Sequence, residues 1–289
     1  MKILMLINLK SGMKNSKQSL LDALDVFSSY NHEVTTYITQ KKNDAYNYLI
    51  NCRKKYDLVC VAGGDGTLNE VSNALMRKRN RPLLGYFPSG TMNDFASNFN
   101  LSKDFKEIAK RICKNKVHYF DVGQFNDLYF NYVCAFGSMC DVPFTTDRNT
   151  KEVIGSAAYI IEGISKLGEV KKNHIKYTIN NKTYESDILL GLVYSGNRVA
   201  GVELEDKSSA RVDDGYFNVL IVDYVPSIFE TPDLISTIMK KDKFIHSYKC
   251  SEILIETDKK LICTIDGEEA FIKDKAKIKI NKKALRLLA

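Results

Sequence analysis

The 289-residue sequence has no tryptophan, only five prolines and no apolar run long enough to cross a membrane. Its longest apolar runs, such as residues 3–7 and 188–194, are far shorter than the ~20 residues a spanning helix needs. The seven cysteines are scattered without a CxxC pair, which excludes a disulfide framework and favours reduced thiols in a cytoplasm. The amino-terminal apolar stretch is too short for a secretory signal and predicts a first β-strand.

The charge is modest and unevenly placed. The chain has 42 basic and 35 acidic residues, a net charge of +7, and most of the excess lies in residues 271–289. Because the rest is nearly neutral, bulk charge excludes a nucleic-acid-binding protein. Lys273, Lys275, Lys277 and Lys279 alternate along one predicted strand face. Two interpretations stay open for them: a solvated face that protects a sheet edge, or attraction to an anionic lipid surface.

Strand and helix signals alternate through the first hundred residues. Strands are predicted at 2–7, 32–39, 57–62 and 82–87, and helices at 16–29, 44–55 and 67–77. This alternation predicts a parallel sheet with helices on both faces. Such sheets bind ligands at the carboxyl ends of their strands.

After about residue 115 the pattern changes to strands. They are predicted at 117–123, 128–136, 175–180, 182–195, 216–223, 252–256, 261–265 and 275–280, with helices at 153–167 and 234–239. Asn126-Asp127 and Asn180-Asn181 predict hairpin turns. We therefore expect a mostly antiparallel second domain, a sandwich or barrel, over residues 119–282. We expect residues 1–118 to form the α/β domain, and the prediction leaves open whether residues 283–289 pack back onto it.

The strongest chemical signal is the segment from Gly63 to Glu70, GGDGTLNE, which follows a predicted strand and opens a helix. Glycines there let the main chain turn sharply, and the free amides of a helix start favour a phosphate. Asp65 lies inside this turn, and a carboxylate beside a phosphate requires a cation, which predicts Mg²⁺. The alternative is a structural strand–helix turn capped by Asp65.

A second turn of this kind, PSGTMNDFA, begins at Pro88. If the sheet is parallel, the two turns lie on neighbouring strands and face one crevice, with residues 8–12 as a third wall. The sequence lacks a Walker motif, the protein-kinase motifs, a dinucleotide-binding GxGxxG pattern and a GxSxG elbow. Protein kinases, dehydrogenases and serine hydrolases are therefore disfavoured.

These two motifs, followed by Asp121-Val122-Gly123 and Asp266-Gly267-Glu268, occur in the same order in the diacylglycerol kinase/sphingosine kinase superfamily. The chain resembles soluble bacterial diacylglycerol kinases and YegS-like lipid kinases over nearly its whole length. The resemblance implies an NAD-kinase-like parallel-sheet domain, a β-sandwich domain and an active site in the cleft between them. GGDGT alone is shared with NAD kinases and phosphofructokinases, whereas its combination with SGTxNDFA is more specific.

The resemblance also implies roles for individual residues. The nucleotide-binding positions are Asn8, Ser11, Gly12, Thr39, Gly63, Gly64, Asp65, Gly66, Thr67, Asn69 and Thr91. The catalytic positions are Asp65, Asp94 and Asp121 around the active-site cation, and Glu268 as general base on the lipid hydroxyl. From the residues alone, Asp266-Gly267-Glu268 indicates a hairpin turn between strands, and only the resemblance favours the catalytic role.

A second Mg²⁺ site is implied at Asp214, through its side chain, and at Arg211 and Tyr216, through their carbonyls. Two positions depart from the family pattern. Leu9 replaces the usual proline after Asn8, and Ser97-Asn98 replaces an arginine that often follows NDFA. Two alternatives follow from the missing cation: weaker phosphate binding, or replacement of the cation by Lys14, Lys17 or Arg77.

The sequence therefore predicts an ATP- and Mg²⁺-dependent lipid kinase, with diacylglycerol as the expected acceptor and phosphatidic acid as product. We expect a cytoplasmic enzyme with peripheral membrane contact, no nucleic-acid partner, and a homodimer as an open possibility. Two alternatives remain: an NAD kinase-like enzyme, and a nucleotide-binding regulator without catalysis. Which lipid accepts the phosphate is not encoded in these motifs.

Overall fold

The amino-terminal part of the chain forms a parallel sheet, in a computed structural model that describes residues 1–11, 17–138, 171–199, 202–204, 211–224 and 244–289. Its strands are β1 Lys2–Ile7, β2 Glu33–Ile38, β3 Leu58–Gly63 and β4 Leu83–Pro88. They lie side by side in the order β2, β1, β3, β4, and every pair is parallel. The predicted parallel sheet is confirmed, and the loops that follow these strands leave from one edge.

Helices cover both faces of this sheet, as predicted. In the described part of the chain they are α1 Lys17–Ser29, α2 Asp44–Asn51, α3 Asp65–Met76, α4 Asp94–Ser97 and α5 Phe105–Cys113. α1 and α5 share one core with the sheet, which includes Phe27 and Ile108, and α2 and α3 share the other, which includes Leu49 and Leu68. No helix within these ranges is long and apolar enough to cross a membrane.

Helix α5 was not predicted, although its sequence carries the signals. Asp104 accepts a hydrogen bond from the Lys106 amide at 2.8 Å and so caps the helix start. Phe105, Ile108 and Ile112 then recur at helical spacing and are all buried. The helix follows from a local cap and one apolar stripe.

The remaining strands pair almost entirely antiparallel, which confirms the predicted change of pattern. They are β5 Val117–Phe125, β6 Leu128–Phe130, β7 Val133–Gly137, β8 Asn173–Ile179, β9 Lys182–Tyr194, β10 Arg198–Val199, β11 Val202–Glu203, β12 Phe217–Asp223, β13 Ile245–Cys250, β14 Glu252–Glu256, β15 Leu261–Ile265, β16 Glu268–Ile272 and β17 Lys275–Leu288. Most of these strands enclose a third core, which is rich in isoleucine and phenylalanine. The chain is thus a mixed α/β protein.

Both predicted hairpin turns form, with Asn126, Asn180 and Asn181 in the left-handed region that such turns need. The predicted strand 128–136 is instead two strands, because the main-chain amides of 131–133 bind the Asp266 carboxylate. Strands β10, β11, β13 and β16 were missed. The helices predicted at 153–167 and 234–239 lie outside the described residues.

Strand β17 joins the two parts of the fold. It pairs antiparallel with β14 and β5, and its last residues pair parallel with β4, where Leu287 lies opposite Leu84. Lys275, Lys277 and Lys279 are exposed and alternate with buried residues, so they form the solvated face that one interpretation predicted. β14 pairs with this segment on one side, and β5 pairs on the other side only from Ile278 onward, so protection of a sheet edge stays a prediction for the first residues of β17. Lys275 and Lys277 also form ion pairs with Glu256 and Glu252 on β14. The domain boundaries themselves stay a prediction.

We expect Leu287→Ala to lower the free energy of unfolding by about 2–5 kcal/mol, because it leaves a cavity at a completely buried position where β17 meets β4. The matched control is Leu21→Ala, since Leu21 on α1 is 58% exposed. Urea unfolding of both variants measures the difference. Equal, small losses for the two variants would contradict the joining role of β17.

Candidate active site

The two glycine-rich turns are in direct contact. Strands β3 and β4 are in register, and the Ser89 amide donates to the Gly63 carbonyl at 2.9 Å. A Cβ atom built on Gly90 would lie only 2.8 Å from the Cα of Gly64. Side chains are therefore excluded at this approach, and both turns present main chain to one crevice, as the parallel arrangement predicted.

The loop after β1 forms a third wall of this crevice. The Asn8 side-chain amide donates to the Thr67 hydroxyl at 2.9 Å, and the hydroxyls of Ser11 and Ser89 are 3.3 Å apart. Thr39 lies beside this loop, with its hydroxyl donating to the Ile7 carbonyl. These residues border a cavity of about 330 Å³ lined by Asn8, Lys10, Ser11, Thr39, Gln40, Lys41, Lys42, Gly64, Gly66, Thr67, Glu70 and Glu268.

Two other predicted nucleotide positions have different outcomes. Thr91 lies exposed in the second turn. Gly12 lies outside the described residues. The nucleotide-binding role of both residues stays a prediction.

Two carboxylates lie together at the starts of α3 and α4. The Asp94 amide donates to Asp65 Oδ2 at 3.1 Å, and the Tyr86 hydroxyl donates to Asp65 Oδ1 at 3.3 Å. Asp94 is completely buried, and the guanidinium of Arg198 lies 3.6 Å from its carboxylate. Burial raises the pKa of Asp65 to about 7, and the negative charge of Asp94 adds to the effect.

This acidic pair fits a divalent cation that arrives with phosphate. Among the described residues, no group of three His, Cys, Asp or Glu side chains could hold a metal by itself. Mg²⁺, however, commonly takes only one or two protein carboxylates and completes its shell with phosphate and water. A cation would also allow Asp65 and Asp94 to be ionised together, which their proximity otherwise opposes.

Arg198 supplies positive charge where the family pattern has an arginine and this chain has Ser97-Asn98. Its guanidinium donates to the Ser97 hydroxyl at 3.2 Å, and the adjacent Asn197 amide donates to Asn98 Oδ1. Sequence reasoning missed Arg198, because it follows α4 by a hundred residues and lies in no motif. Lys14 and the side chain of Lys17 lie outside the described residues. The third expected cation, Arg77, instead has its guanidinium over the rings of Tyr46 and Tyr129.

The Asp266-Gly267 pair forms a tight hairpin turn between β15 and β16. Both residues have positive φ, 49° and 86°, as a type I′ turn requires. The buried Asp266 carboxylate accepts hydrogen bonds from the main-chain amides of residues 131–133 and from the Asn69 side chain at 2.8 Å. Burial raises the pKa of Asp266, whereas these donors oppose the shift.

The Asn69 side chain has contacts that the sequence did not predict. Its amide joins α3, the helix that starts at the glycine-rich turn, to the hairpin that carries Glu268, and it also donates to the Tyr129 carbonyl at 3.1 Å. These contacts give Asn69 a positioning function between the two parts of the fold. Direct nucleotide binding by Asn69 stays a prediction.

Glu268 lies directly over the start of α3. A Cβ atom built on Gly66 would be 3.8 Å from Glu268 Oε1. The carboxylate also forms an ion pair with Lys42. Glu268 lines the cavity at the glycine turns and a second cavity of about 460 Å³, whose apolar lining comes from Tyr46, Leu128, Tyr129, Ile265 and Ala270. The predicted base and nucleotide loop therefore share one cleft.

The contacts of Asp121 group it with the turn 211–216. Its carboxylate accepts from the amides of Gly215 and Lys283, both at 2.6 Å. Burial is the main cause of its raised pKa. These bonds hold the turn against β5 and β17, so the structure gives Asp121 an evident structural function. Its predicted role at the active-site cation is untested.

The predicted second metal site is built around the same turn. The Asp214 carboxylate forms an ion pair with Lys249 at 2.7 Å and accepts from the Tyr216 amide at 3.0 Å. The Arg211 side chain pairs with Asp213. A cation at Asp214 would compete with the Lys249 ammonium, and this site stays a prediction.

Sequence reasoning assigned no role to Lys42 or Glu70. The Glu70 carboxylate accepts from the amides of Asn43 and Ala45, at 2.8 and 3.1 Å, and thereby fixes the start of α2. Lys42 precedes that start and lines both cavities. Its position after β2, at the same sheet edge as the glycine turns, was the signal that could have found it.

Comparison with known proteins identifies relatives over nearly the whole chain. A family model described as the diacylglycerol kinase catalytic domain matches residues 2–125. A diacylglycerol kinase of Staphylococcus saprophyticus is 31% identical over 266 residues, which cover 90% of this chain and 87% of that protein. A diacylglycerol kinase of Staphylococcus aureus (strain MRSA252) is 33% identical over 217 residues, 75% of this chain and 69% of that protein.

Solved structures share the fold. A crystal structure of a diacylglycerol kinase from Bacillus anthracis str. Sterne superposes with a TM-score of 0.75 at 22% identity, covering 99% of this chain and 96% of that chain. A second crystal structure from the same organism superposes with a TM-score of 0.80 at 25% identity, covering 99% of this chain and 94% of that chain.

The predicted lipid kinase is therefore confirmed over the NAD kinase and the non-catalytic regulator, since the matching family transfers phosphate to an alcohol group of a lipid. Membership of a kinase family also implies ATP as a substrate. With 31% identity over nine-tenths of its length, the chain belongs to the diacylglycerol kinase family of lipid kinases.

Proposed function

We propose that this protein transfers the γ-phosphate of ATP to the hydroxyl of diacylglycerol and produces phosphatidic acid. The named relatives support this acceptor. The observation that carries the proposal is the position of Glu268 over Gly66, where a carboxylate from the second part of the fold meets the glycine-rich turn. Phosphoryl transfer needs this combination of a phosphate cradle and a group that takes the proton of the nucleophile.

The glycine turns form the proposed phosphate cradle. The amides at the start of α3 have no helical partner and lie at the positive end of the helix dipole. Gly64, Gly66 and Thr67 line the cavity here together with Ser11 and Lys10. When bound at Asp65 and Asp94, Mg²⁺ would neutralise charge on the phosphates, and the cleft walls would hold the triphosphate in line with the acceptor.

Glu268 is the proposed general base. The acceptor hydroxyl gives its proton to the Glu268 carboxylate as its oxygen forms a bond to the γ-phosphorus. The bond from that phosphorus to the bridging oxygen breaks, and its electron pair leaves with ADP. Asp266 does not touch the reacting atoms in this scheme; through its bonds to Asn69 and residues 131–133 it holds the turn that aims Glu268.

We also propose separate roles for the two parts of the fold. Residues 1–118 would bind the nucleotide and residues 119–282 would supply the base, with the end of β17 returning to β4. A lipid acceptor requires contact with a membrane surface, and we propose that the enzyme is cytoplasmic and docks peripherally. The β17 lysines are a weaker docking surface than the sequence predicted, because two of them are paired with glutamates. A homodimer stays a prediction.

We expect Glu268→Gln to lower turnover with diacylglycerol by about 10²–10⁴-fold, since it removes the proton acceptor. Affinity for ATP should change little, because the phosphate cradle is main chain from the glycine turns. Transfer of labelled phosphate to diacylglycerol in mixed micelles, with nucleotide titration by calorimetry, measures both. Glu252→Gln, on β14, is the control. Full activity of Glu268→Gln would show that another group takes the proton.

We expect Asp65→Asn to increase stability relative to wild type at pH 8 and to lower turnover. In wild type the Asp65 pKa of about 7 exceeds its unfolded value of about 3.9, so the folded protein holds an extra proton between these pH values. Wild-type stability therefore falls as pH rises through this window, by on the order of 4 kcal/mol. Asn carries no such charge, so the variant should gain stability relative to wild type at pH 8 and not at pH 4.

Urea unfolding in EDTA at the two pH values, beside Asp25→Asn on the exposed side of α1 as control, measures this gain. Turnover of Asp65→Asn should fall by about 100-fold or more, because charge stabilisation at the phosphates is lost. A variant that is active, or that shows no relative gain at pH 8, would contradict the role given to Asp65.

A further inference from the structure

One ion pair stands at the junction of the two cavities. Lys42 and Glu268 both line the cavity at the glycine turns and the larger cavity beside it, and their side chains are in contact. Hydrogen bonding to Glu268 is the largest cause of the raised pKa of Lys42, followed by the charge of Glu268. The ammonium therefore stays charged beside the proposed base.

The main chain around Lys42 is fixed by the same helix that starts at the glycine turn. Glu70 on α3 accepts from the amides of Asn43 and Ala45, and Asn43 adopts a left-handed conformation, φ 62°, at the start of α2. Lys42 therefore leaves a defined backbone position and reaches across the cleft. Lys10, which lines the first cavity as well, instead donates to the Gln40 carbonyl at 3.1 Å.

Stability does not explain this pair. The Lys42 side chain is 69% exposed and that of Glu268 is 43% exposed. Exposed ion pairs contribute little to folding, because solvent screens them and two long side chains lose conformational freedom. The pair joins two elements far apart in the sequence, and its geometric effect is to restrain the carboxylate that is proposed to take the proton.

We propose that Lys42 is a positioning residue that holds the Glu268 carboxylate between the two cavities. The inference rests on the proposed function. In the transfer step Glu268 becomes neutral when it takes the hydroxyl proton, while negative charge remains on the phosphoryl group and on ADP. Lys42 neither gives nor takes a proton. When the Glu268 carboxylate is neutralised, the Lys42 ammonium remains next to the cavity proposed to hold the phosphates.

The test uses Lys42→Gln and Lys42→Arg in the full-length protein. Because misplacing a reacting group by about 1 Å can cost about 10²-fold, we expect Lys42→Gln to lower kcat by about 10–100-fold. The dissociation constant for ATP should change by less than about 3-fold, since Lys42 acts through Glu268. Lys42→Arg should keep kcat within about 3-fold of wild type, as it retains a cation that can pair with a carboxylate.

The matched control is Lys54→Gln, which removes an exposed lysine–glutamate pair with Glu33, away from both cavities. A double-mutant cycle with Glu268→Asp gives the decisive readout. If Lys42 acts through the carboxylate, Lys42→Gln costs much less in the Glu268→Asp background than in wild type. Equal costs in both backgrounds would show an independent role and overturn the inference.

An unchanged kcat for Lys42→Gln would overturn the positioning role. A loss of ATP affinity with an unchanged kcat would also overturn it, because Lys42 would then act only as a phosphate ligand. Failure of the proposed function gives a different pattern, because wild type would then transfer no phosphate to diacylglycerol. A third pattern is an active wild type, an inactive Glu268→Gln and a Lys42→Gln variant with normal activity. This pattern would support the proposed function and exclude only the positioning role of Lys42.

Discussion

The buried carboxylate of Asp266 holds the two halves of the candidate active site in one cleft. It accepts hydrogen bonds from three consecutive main-chain amides and from Asn69 on α3, the helix that begins at the glycine-rich turn. A buried charge is stable only when its hydrogen-bonding capacity is filled, and here the donors come from both parts of the fold. The position of Glu268, two residues later, depends on this network.

Asp65 and Asp94 differ from Asp266, because here two carboxylates lie close to each other. These carboxylates are close, Asp94 is buried and Asp65 is half-buried, and the pKa of Asp65 rises to about 7 as a result. Such an arrangement is unfavourable for folding, and proteins retain it where charge is needed for function. The cleft thus contains one carboxylate satisfied by protein donors and a pair suited to a cation that comes with the substrate.

Motifs that are local in sequence were predictable, and contacts between distant segments were not. The strand–turn–helix pattern around Gly63 and Gly90 predicted that the two glycine turns face one crevice, because carboxyl ends of parallel strands meet at one edge. Arg198 beside Asp94 and the bond from Asn69 to Asp266 join residues a hundred or more positions apart. No periodicity encodes such pairs. The break at Asn131 within a predicted strand has the same origin, since a distant carboxylate takes the amides that a ladder would use.

A crystal structure with Mg²⁺ and a non-hydrolysable ATP analogue tests the central claim most directly. The account predicts the triphosphate on the main-chain amides between Gly64 and Thr67, the cation at Asp65 and Asp94, and the γ-phosphate facing Glu268. A triphosphate bound elsewhere, or a γ-phosphate turned away from Glu268 with no path for a lipid hydroxyl between them, would contradict it.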